Sequence, residues 1–556
     1  MTELLLIAVA ALAVIAGAAV VGPRLGIAAP LVLVAIGVGA SFLPFFAETH
    51  IEPEWILEGV LPPLLYSSAV SMPAMNFRRE FGAISGLSVL LVVASSLLLG
   101  LFFMMVVPGI GFAWGVALGA IVSPTDAVAT SIIKQTSVSK RVVALLDGES
   151  LLNDATALVI LRTAIVATAA TFSVWEAAGT FAWSVAVAVL VGGLAGWLNL
   201  VIRKRVTDPT VNTVISFTVP FVAAVPAEML GASGLVAAVV AGLVTGIRAP
   251  RDLSPQNRLS DSQNWRTVEL VLEGAVFLTM GVQIKAIVTS VEQDHAGVGT
   301  AVLAAAGALA LTVLVRAAYV GPLLGVLVWR AGHGLKMQEH LQAMQARMST
   351  PEGQQETFAE MNRRKKEPSE RELTWLARRI TQGLATIEYF VREPLGWREG
   401  VAVVWAGMRG AVTVAAAQSL PEDTPQRSVL VLIAFAVATL SLVVQGGTIG
   451  PLLKLITPRA DPAAAEDSMK AERDRIFELL RSSAQSIAEP PHPEGGLTPE
   501  SFGEAKKYRL AVLEAQRASL LDARDNGTFD ADVLAGALAN LDASQIDIEL
   551  RGKLVS

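Results

Sequence analysis

Two neighbouring apolar segments of this sequence carry acidic side chains near their middle. Residues 111–133 read GFAWGVALGAIVSPTDAVATSII, and residues 142–170 read VVALLDGESLLNDATALVILRTAIVATAA. Each segment is long enough to cross the hydrocarbon core of a bilayer as a helix, which takes about 20 residues. An ionisable side chain at that depth is energetically expensive, so its presence indicates a function.

The whole chain has the same apolar character. Its 556 residues are 53% hydrophobic and 17% charged, and the mean hydropathy is +0.55. Because hydrocarbon offers the backbone no hydrogen-bond partner, segments that span it must be helical. The sequence therefore predicts an all-α polytopic membrane protein. It contains no cysteine, which excludes disulfides and thiolate metal sites.

Apolar runs of about 20 residues recur along the chain and predict about thirteen transmembrane helices. The runs cover residues 2–21, 26–46, 55–72, 81–107, 111–133, 142–170, 178–202, 210–228, 231–247, 266–291, 297–329, 399–420 and 427–456. The first run is expected to be an uncleaved span, because its first cation follows the apolar residues instead of preceding them.

The basic residues predict the orientation of the chain. They fall in alternate connections, at Arg24, Arg78, Arg79, Lys134, Lys140, Arg141, Arg203, Lys204, Arg205, Arg248, Arg251 and Arg258. By the positive-inside rule, the N-terminus faces outward and the C-terminus faces the cytoplasm.

Two polar segments depart from the membrane pattern. Residues 1–456 form the predicted transmembrane domain, which contains a polar insert at about 331–396, and residues 457–556 form a C-terminal tail. Charged and apolar residues alternate at helical spacing, so both segments are expected to be helical and cytosolic. A solvated surface is the ordinary explanation of such charges, and a regulatory role is the functional one for the tail.

The fifth apolar run contains a proline beside its aspartate. Pro124 removes one helical hydrogen bond and frees backbone carbonyls close to Thr125 and Asp126. Interrupted helices that meet near the membrane midplane are a recurring ion-binding construction of secondary transporters. A plain proline kink is the alternative, but Asp126 favours the functional interpretation.

The sixth apolar run carries a second acidic group. Ser150 and Asp154 lie four residues apart and hence on one helix face, and Glu149 and Asn153 form a stripe beside them. Carboxylate, hydroxyl and amide oxygens suit a hard cation such as Na+. Burial disfavours the charged form of a carboxylate, so the same group can take a proton when the cation leaves.

Two arginines also fall inside apolar runs. Arg409 lies between Gly407 and Gly410 in the twelfth run, and Glu149 is its predicted structural partner, since an unpaired buried guanidinium is costly. Arg316 in the eleventh run has no obvious mate. Its candidate partners are two glutamates of the tenth run, Glu269 and Glu273.

At these residues the sequence resembles the prokaryotic Na+/H+ antiporters, which are related to the animal sodium/proton exchangers within the monovalent cation/proton antiporter superfamily. The resemblance covers residues 1–456. Its motifs are Leu61-Pro62-Pro63-Leu64-Leu65, Ser123-Pro124-Thr125-Asp126, Gly148-Glu149-Ser150 with Asn153-Asp154, Ser233-Gly234-Leu235 with Ala241-Gly242, and Gly407-Met408-Arg409-Gly410.

The resemblance implies thirteen spans in two inverted six-helix repeats, with the fifth and twelfth spans interrupted. It also implies a homodimer and an elevator-type movement that exchanges cation and proton, electroneutrally because Asn153 is a neutral amide, for pH and Na+ homeostasis. The expected location is the bacterial cytoplasmic membrane. The partners are Na+, H+, the lipid bilayer and a second copy of the chain, with no cofactor and no nucleic acid.

The resemblance also implies a role for each matching residue. Asp154 carries the proton and the cation, Asn153 orients the site, and Glu149 pairs with Arg409. The residues expected to coordinate Na+ with Asp154 are Thr125, Asp126 and Ser150.

The chain departs from the family pattern at one acidic position. Many relatives have an acidic residue directly after the Leu-Pro-Pro motif, whereas this chain has Tyr66-Ser67-Ser68. Ser67 cannot carry a proton, so an accessory role of that acid is expected to be missing.

Three alternatives remain open from the residues. K+ could replace Na+, since selectivity depends on cavity geometry that spacing does not reveal. A cation channel could use the same buried carboxylates, although no filter-like repeat is visible. An intramembrane hydrolase would need a catalytic constellation, yet all five histidines lie outside the apolar runs.

Overall fold

The computed structural model is helical wherever it has regular secondary structure among the residues it describes. These are residues 2–25, 27–43, 52–126, 128–134, 136, 138–169, 174–293, 297–347, 350, 370–456, 462–489 and 499–551. The helices are α1 (Thr2–Leu25), α2 (Ala29–Ser41), α3 (Leu61–Ser71), α4 (Ala74–Ser85), α5 (Val92–Val106), α6 (Phe112–Val122), α7 (Val128–Ile133), α8 (Lys140–Ala169), α9 (Val174–Arg203), α10 (Pro209–Met229), α11 (Gly234–Asp252), α12 (Pro255–Val282), α13 (Ile284–Gln293), α14 (Val298–Arg347), α15 (Glu370–Arg392), α16 (Trp397–Trp405), α17 (Ala411–Gln418), α18 (Arg427–Ser441), α19 (Gly447–Ile456), α20 (Pro462–Gln485), α21 (Pro499–Asn526) and α22 (Ala531–Arg551). Three short π-helical stretches adjoin these helices: Trp55–Val60 precedes α3, Gly86–Leu91 joins α4 to α5, and Leu442–Gly446 joins α18 to α19.

The helices have the length and surface of a multi-pass membrane protein. Within the described part of the chain, nine helical segments are long and apolar enough to cross a bilayer, and α2 and α6 are shorter apolar helices. Large apolar side chains cover outward faces: on α9, Leu190 is 72% exposed and Leu194 is 62% exposed. Water would make such surfaces unfavourable, whereas lipid tails solvate them.

Two apolar segments predicted to be interrupted are both interrupted in the structure. Helix α6 ends at Val122 and α7 begins at Val128, while α16 ends at Trp405 and α17 begins at Ala411. The two breaks touch, because the backbone N–H of Asp126 donates to the carbonyl of Met408 at 2.7 Å. Backbone groups released by one break are therefore partly satisfied by the other, which stabilises non-helical chain inside a membrane protein.

Glycines let the interrupted helix α6 pack closely on α5. A Cβ atom added to Gly115 would overlap the carbonyl of Gly100, and one added to Gly119 would overlap the carbonyl of Ser96. Small residues at such crossings allow backbones to approach, and this close packing drives helix association in lipid. The approach of α5 fixes α6 firmly up to the break that carries Asp126.

The chain divides into two compact units. The first comprises residues 1–252, 259–324 and 395–458, and it contains the interrupted helices. The second comprises residues 253–258, 325–394 and 459–556. The described residues of the polar insert and of the C-terminal tail are helical, as the spacing predicts, whereas 348–349 and 351–369 of the insert lie outside the described residues.

The second unit has a hydrophobic core of its own. Helices α20, α21 and α22 pack around buried side chains, which are Ile476, Leu513, Leu520, Ala523, Leu534 and Leu541. Within the same unit, Asp542 accepts a hydrogen bond from Arg517 at 2.7 Å and also pairs with Arg258. Apolar burial and this ion cluster together hold the three helices as a folded element.

Candidate functional site

A cavity of about 120 Å³ lies at the contact between the two helix breaks. Its polar lining consists of Ser68, Thr125, Asp126, Ser150, Asp154, Glu269, Glu273 and Thr413. The structure thus brings together four residues that the sequence assigned to cation binding, namely Thr125, Asp126, Ser150 and Asp154. All the polar lining groups are oxygen ligands, the kind that hard cations prefer.

Asp126 is held in the break between α6 and α7. Its Oδ1 accepts a hydrogen bond from the backbone N–H of Val128 at 3.1 Å. The other carboxylate oxygen lies so close to Gly410 that a Cβ on that residue would overlap it. The carboxylate is therefore positioned by backbone from both interrupted segments.

Asp154 faces the same cavity from the middle of α8. It is 8% exposed, and among the described residues no hydrogen bond to its carboxylate is found. Ser150, one turn earlier on the same face, donates its hydroxyl to the carbonyl of Asp147 at 3.0 Å and lines the cavity. A buried carboxyl group with no protein donor needs a proton or a cation to compensate its charge.

Asn153 lies behind the cavity and holds Thr125. Its amide Nδ2 donates to the Thr125 hydroxyl at 2.7 Å and to the Thr125 carbonyl at 3.1 Å. The Thr125 hydroxyl in turn donates to Glu149 at 3.3 Å. This chain of hydrogen bonds connects α8 to the first break, so Asn153 is placed to orient the site instead of lining it.

The predicted ion pair between Glu149 and Arg409 is wrong. Glu149 instead receives a two-pronged contact from Arg316 of α14, with Nη1 on Oε1 and Nη2 on Oε2, the latter at 2.7 Å. The prediction that Glu269 or Glu273 pairs with Arg316 is wrong for the same reason. Arg316 passes beside Gly407, where a Cβ would come within 2.8 Å of its Cδ atom, so the missing side chain makes room for it.

Arg409 binds backbone instead of a carboxylate. Its Nε donates to the carbonyl of Val122 at 2.9 Å, and Nη1 donates to the carbonyl of Gly407. Val122 is the last residue of α6, so its carbonyl lacks the helical partner that a continuous helix would supply. The broken helices thus create the acceptors that Arg409 uses.

Two acidic residues of the cavity were not assigned to it from the sequence. Glu269 and Glu273, one turn apart on α12, both line the cavity, and Ser67 of α3 donates its hydroxyl to Glu269 at 3.1 Å. The sequence did contain a signal of function for both glutamates, because they are ionisable residues inside an apolar run. Spacing shows that they share a helix face, but not which neighbour that face meets.

Replacing Gly410 should disturb the site directly. The Cβ of a Gly410→Ala variant would overlap Oδ2 of Asp126, so the carboxylate must move. Misplacing a functional group by about 1 Å can lower activity by about 100-fold. If the site carries the ion exchange that the family resemblance implies, its rate in vesicles should fall by at least about tenfold. Gly450→Ala is the matched control, because nothing lies within 4 Å of its Cβ position. Equal rates in the two variants would show that Asp126 does not need its observed position.

Comparison with known proteins places the chain among cation/proton exchangers. A family model described as sodium/hydrogen exchanger, transmembrane, matches residues 8–349 and 373–455. The uncharacterised Na+/H+ exchanger YjcE of Escherichia coli is 34% identical over 267 residues, which is 46% of this chain and 49% of that protein. This match therefore spans about half the length of that relative.

A further relative and a solved structure extend the similarity. The sodium, potassium, lithium and rubidium/H+ antiporter of Bacillus pumilus is 25% identical over 505 residues, covering 88% of this chain and 66% of that protein. The sodium proton antiporter MjNhaP1 of Methanocaldococcus jannaschii has a similar fold, with a TM-score of 0.57, 15% identity, and coverage of 83% of this chain and 99% of that chain. The resemblance inferred from the sequence is confirmed, and the chain belongs to the transmembrane sodium/hydrogen exchanger family.

Proposed function

We propose that this protein is a secondary active transporter that exchanges Na+ for H+. The observation that carries the proposal is the placement of Asp126 and Asp154 in one cavity where two interrupted helices touch. Thr125 and Ser150 add hydroxyl oxygens to the same cavity. Such a site can hold either a dehydrated cation or a proton, and an exchanger needs that alternation.

The exchange follows from competition for the same oxygens. When Na+ occupies the cavity, the Asp154 carboxylate is a ligand, and when Na+ leaves, a proton compensates the buried charge. The empty, charged site is the unfavourable state, so it is the state least able to cross the membrane. This coupling makes the outward movement of one ion depend on the inward movement of the other.

The proposal includes the architecture expected from the family resemblance. We place thirteen spans in two inverted six-helix repeats, a homodimer, and an elevator-type movement of the site between the two membrane faces. The contact between the two helix breaks supports this arrangement, because equivalent interrupted helices from two repeats are expected to cross at the transport site. The transported ions are substrates, and no cofactor is required.

We place the protein in the bacterial cytoplasmic membrane with the N-terminus outside and the C-terminus in the cytoplasm. The alternation of basic connections along the sequence supports this orientation. Residues 1–456 would then carry transport, while the insert at 331–396 and the tail at 457–556 would lie in the cytosol. The separate hydrophobic core of α20–α22 supports a regulatory role for the tail.

Everted membrane vesicles test this function. Vesicles that contain the protein would be acidified by respiration and followed with a pH-gradient dye while Na+, Li+ or K+ is added across a pH series. We expect Na+ to dissipate the gradient, and more Na+ to be needed at lower pH because protons compete for the cavity. If all three cations leave the gradient unchanged at every pH, the proposed exchange is wrong.

The same experiment separates Na+ from K+ as the principal substrate. The Bacillus pumilus relative is named for potassium, lithium and rubidium as well as sodium, which supports the broader cation class as the alternative. A response to K+ at concentrations where Na+ has none would reassign the substrate without changing the site.

Exchange should be electroneutral, with one cation for one proton. Asn153 is an amide that is already engaged with Thr125 and cannot change charge, while Asp126 is held by the Val128 N–H and, in this proposal, keeps the same charge throughout the cycle. Asp154 is then the group whose protonation alternates with Na+ binding. Membrane potential, worth about 2.3 kcal/mol per unit charge at 100 mV, would have no net charge to move.

Proteoliposomes with a valinomycin-clamped K+ gradient measure this, once K+ has been excluded as a substrate. Na+ uptake driven by a pH gradient should have the same initial rate with and without the potential. Na+ accumulation driven by the potential alone, with no pH gradient, would mean that a second carboxyl group titrates in the cycle.

A further inference from the structure

The α12 side of the cavity has its own pair of carboxylates. Glu269 and Glu273 are four residues apart, so they lie on one face of the helix, and both line the cavity that contains Asp126 and Asp154. Glu269 is fixed by the hydroxyl of Ser67 at 3.1 Å, and Ser67 itself is 4% exposed. Among the described residues, no hydrogen bond to the carboxylate of Glu273 is found.

The lining of the cavity is negative. It contains four carboxylates and, among the residues that the structure describes, no lysine, arginine or histidine. The two buried arginines of the region are engaged elsewhere, Arg316 with Glu149 and Arg409 with backbone carbonyls. Behind the lining, Lys134 and Arg266 act electrostatically on Glu269. The charge of Asp154 and Glu273 must therefore be compensated by protons or by cations that enter from solution.

The four carboxylates do not converge on a single point. Within the described residues, no three acidic or histidine side chains are arranged to hold one metal ion. Glu273 has both Asp126 and Glu269 as acidic neighbours, and Asp126 is the acidic neighbour of Asp154. The four carboxylates therefore form a row from Glu269 through Glu273 and Asp126 to Asp154. Asp154 is 8% exposed and accepts no hydrogen bond among the described residues, so the buried end of this row is a carboxyl group that faces the cavity without a protein donor.

We propose that Glu269 and Glu273 form a second position for a monovalent alkali cation, from which the ion passes to Asp126 and Asp154. This inference rests on the proposed function and deepens it. Ser67 positions Glu269, and Glu273 is the glutamate of α12 that has Asp126 as a charged neighbour. The ion occupies the two positions in turn, so the one-for-one stoichiometry is unchanged and the second position sets the apparent affinity.

Neutralising Glu273 tests the proposal, because it should weaken the apparent affinity for Na+ and leave the maximum rate nearly unchanged. In proteoliposomes with an imposed pH gradient, Glu273→Gln should raise the apparent KM for Na+ by about tenfold or more, because a carboxyl group that can ionise beside the cation is lost from the ion's path. The maximum rate should stay within about twofold, because the deeper site is intact. Glu273→Asp should restore part of the affinity. Glu269→Gln combined with Glu273→Gln should raise the KM further.

Glu292→Gln is the matched control. Glu292 is an exposed glutamate of α13 that does not line the cavity, so the same substitution there should leave both KM and maximum rate unchanged. If Glu273→Gln does not fold, Ser67→Ala provides the second measurement. It removes the hydroxyl that orients Glu269 and should still raise the KM for Na+ with little loss of maximum rate.

An unchanged KM in a folded Glu273→Gln protein would overturn the second position, and so would an unchanged KM in Ser67→Ala if Glu273→Gln fails to fold. Complete loss of exchange in folded Glu273→Gln would also overturn it, because Glu273 would then belong to the exchange step itself. Failure of the proposed function looks different. In that case the wild-type protein shows no Na+-dependent proton movement at all.

Discussion

An Asp154→Asn variant should lose Na+/H+ exchange completely while remaining folded. The substitution keeps the shape of the side chain but removes the group that takes a proton when the cation leaves. Asp154 accepts no hydrogen bond among the described residues, so the change breaks no observed contact. Dye-monitored exchange in vesicles measures the loss, and size-exclusion chromatography of the same preparation reports whether the protein is folded.

Asp423→Asn is the matched control for this prediction. Asp423 lies exposed in the connection between α17 and α18, where the same chemical change should leave exchange at the wild-type rate. Asp126→Asn should weaken the apparent affinity for Na+ strongly, because one of the two central carboxylates becomes neutral. Normal exchange by folded Asp154→Asn would remove Asp154 from the mechanism.

Breaking the ion pair between Glu149 and Arg316 should strongly destabilise the transmembrane unit. Both side chains are at most 3% exposed, so either alanine variant leaves an uncompensated buried charge. Removing one partner of such a pair typically costs about 3–5 kcal/mol. Thermal unfolding of the single and double variants in detergent measures this. The double variant should lose much less unfolding free energy than the two single variants lose in sum.

A second cycle gives the control. Glu80 and Arg141 form another buried pair, joined at 2.6 Å, and Arg141 lies about 12 Å from Glu149 along the axis of α8. In a double-mutant cycle of Glu149→Ala with Arg141→Ala, the losses of unfolding free energy should therefore add within about 0.5 kcal/mol. Additive losses in the Glu149 and Arg316 cycle would contradict the pairing seen in the structure.

The central carboxylates could be predicted from the sequence because their signals are local. Asp126 follows a proline within an apolar run, and Asp154 is one helical turn from Ser150, so both could be recognised without knowing the neighbouring helices. The break in the fifth run was predictable for a similar reason, because a proline removes a helical hydrogen bond close to its own position. The break in the twelfth run was expected from the family resemblance.

The partners of the buried charges could not be predicted, because pairing depends on which helices approach one another. Arg316 and Arg409 both lie in apolar runs, and either could have met Glu149. Arg409 finds acceptors that exist because α6 and α16 are broken, at Val122 and Gly407. The placement of Glu269 and Glu273 opposite Asp126 is likewise a result of packing.

Sodium uptake by the purified protein is the most direct test of coupled exchange at Asp126 and Asp154. Proteoliposomes that contain this protein alone would be loaded at acidic pH, diluted into alkaline buffer with radioactive sodium, and sampled over time. We predict that sodium accumulates above its external concentration. A proton ionophore, which collapses the pH gradient, should abolish this accumulation, and the Asp154→Asn variant should not accumulate sodium. Uptake that only equilibrates, at the same rate with and without the pH gradient, would indicate a conducting pore and contradict exchange at Asp126 and Asp154.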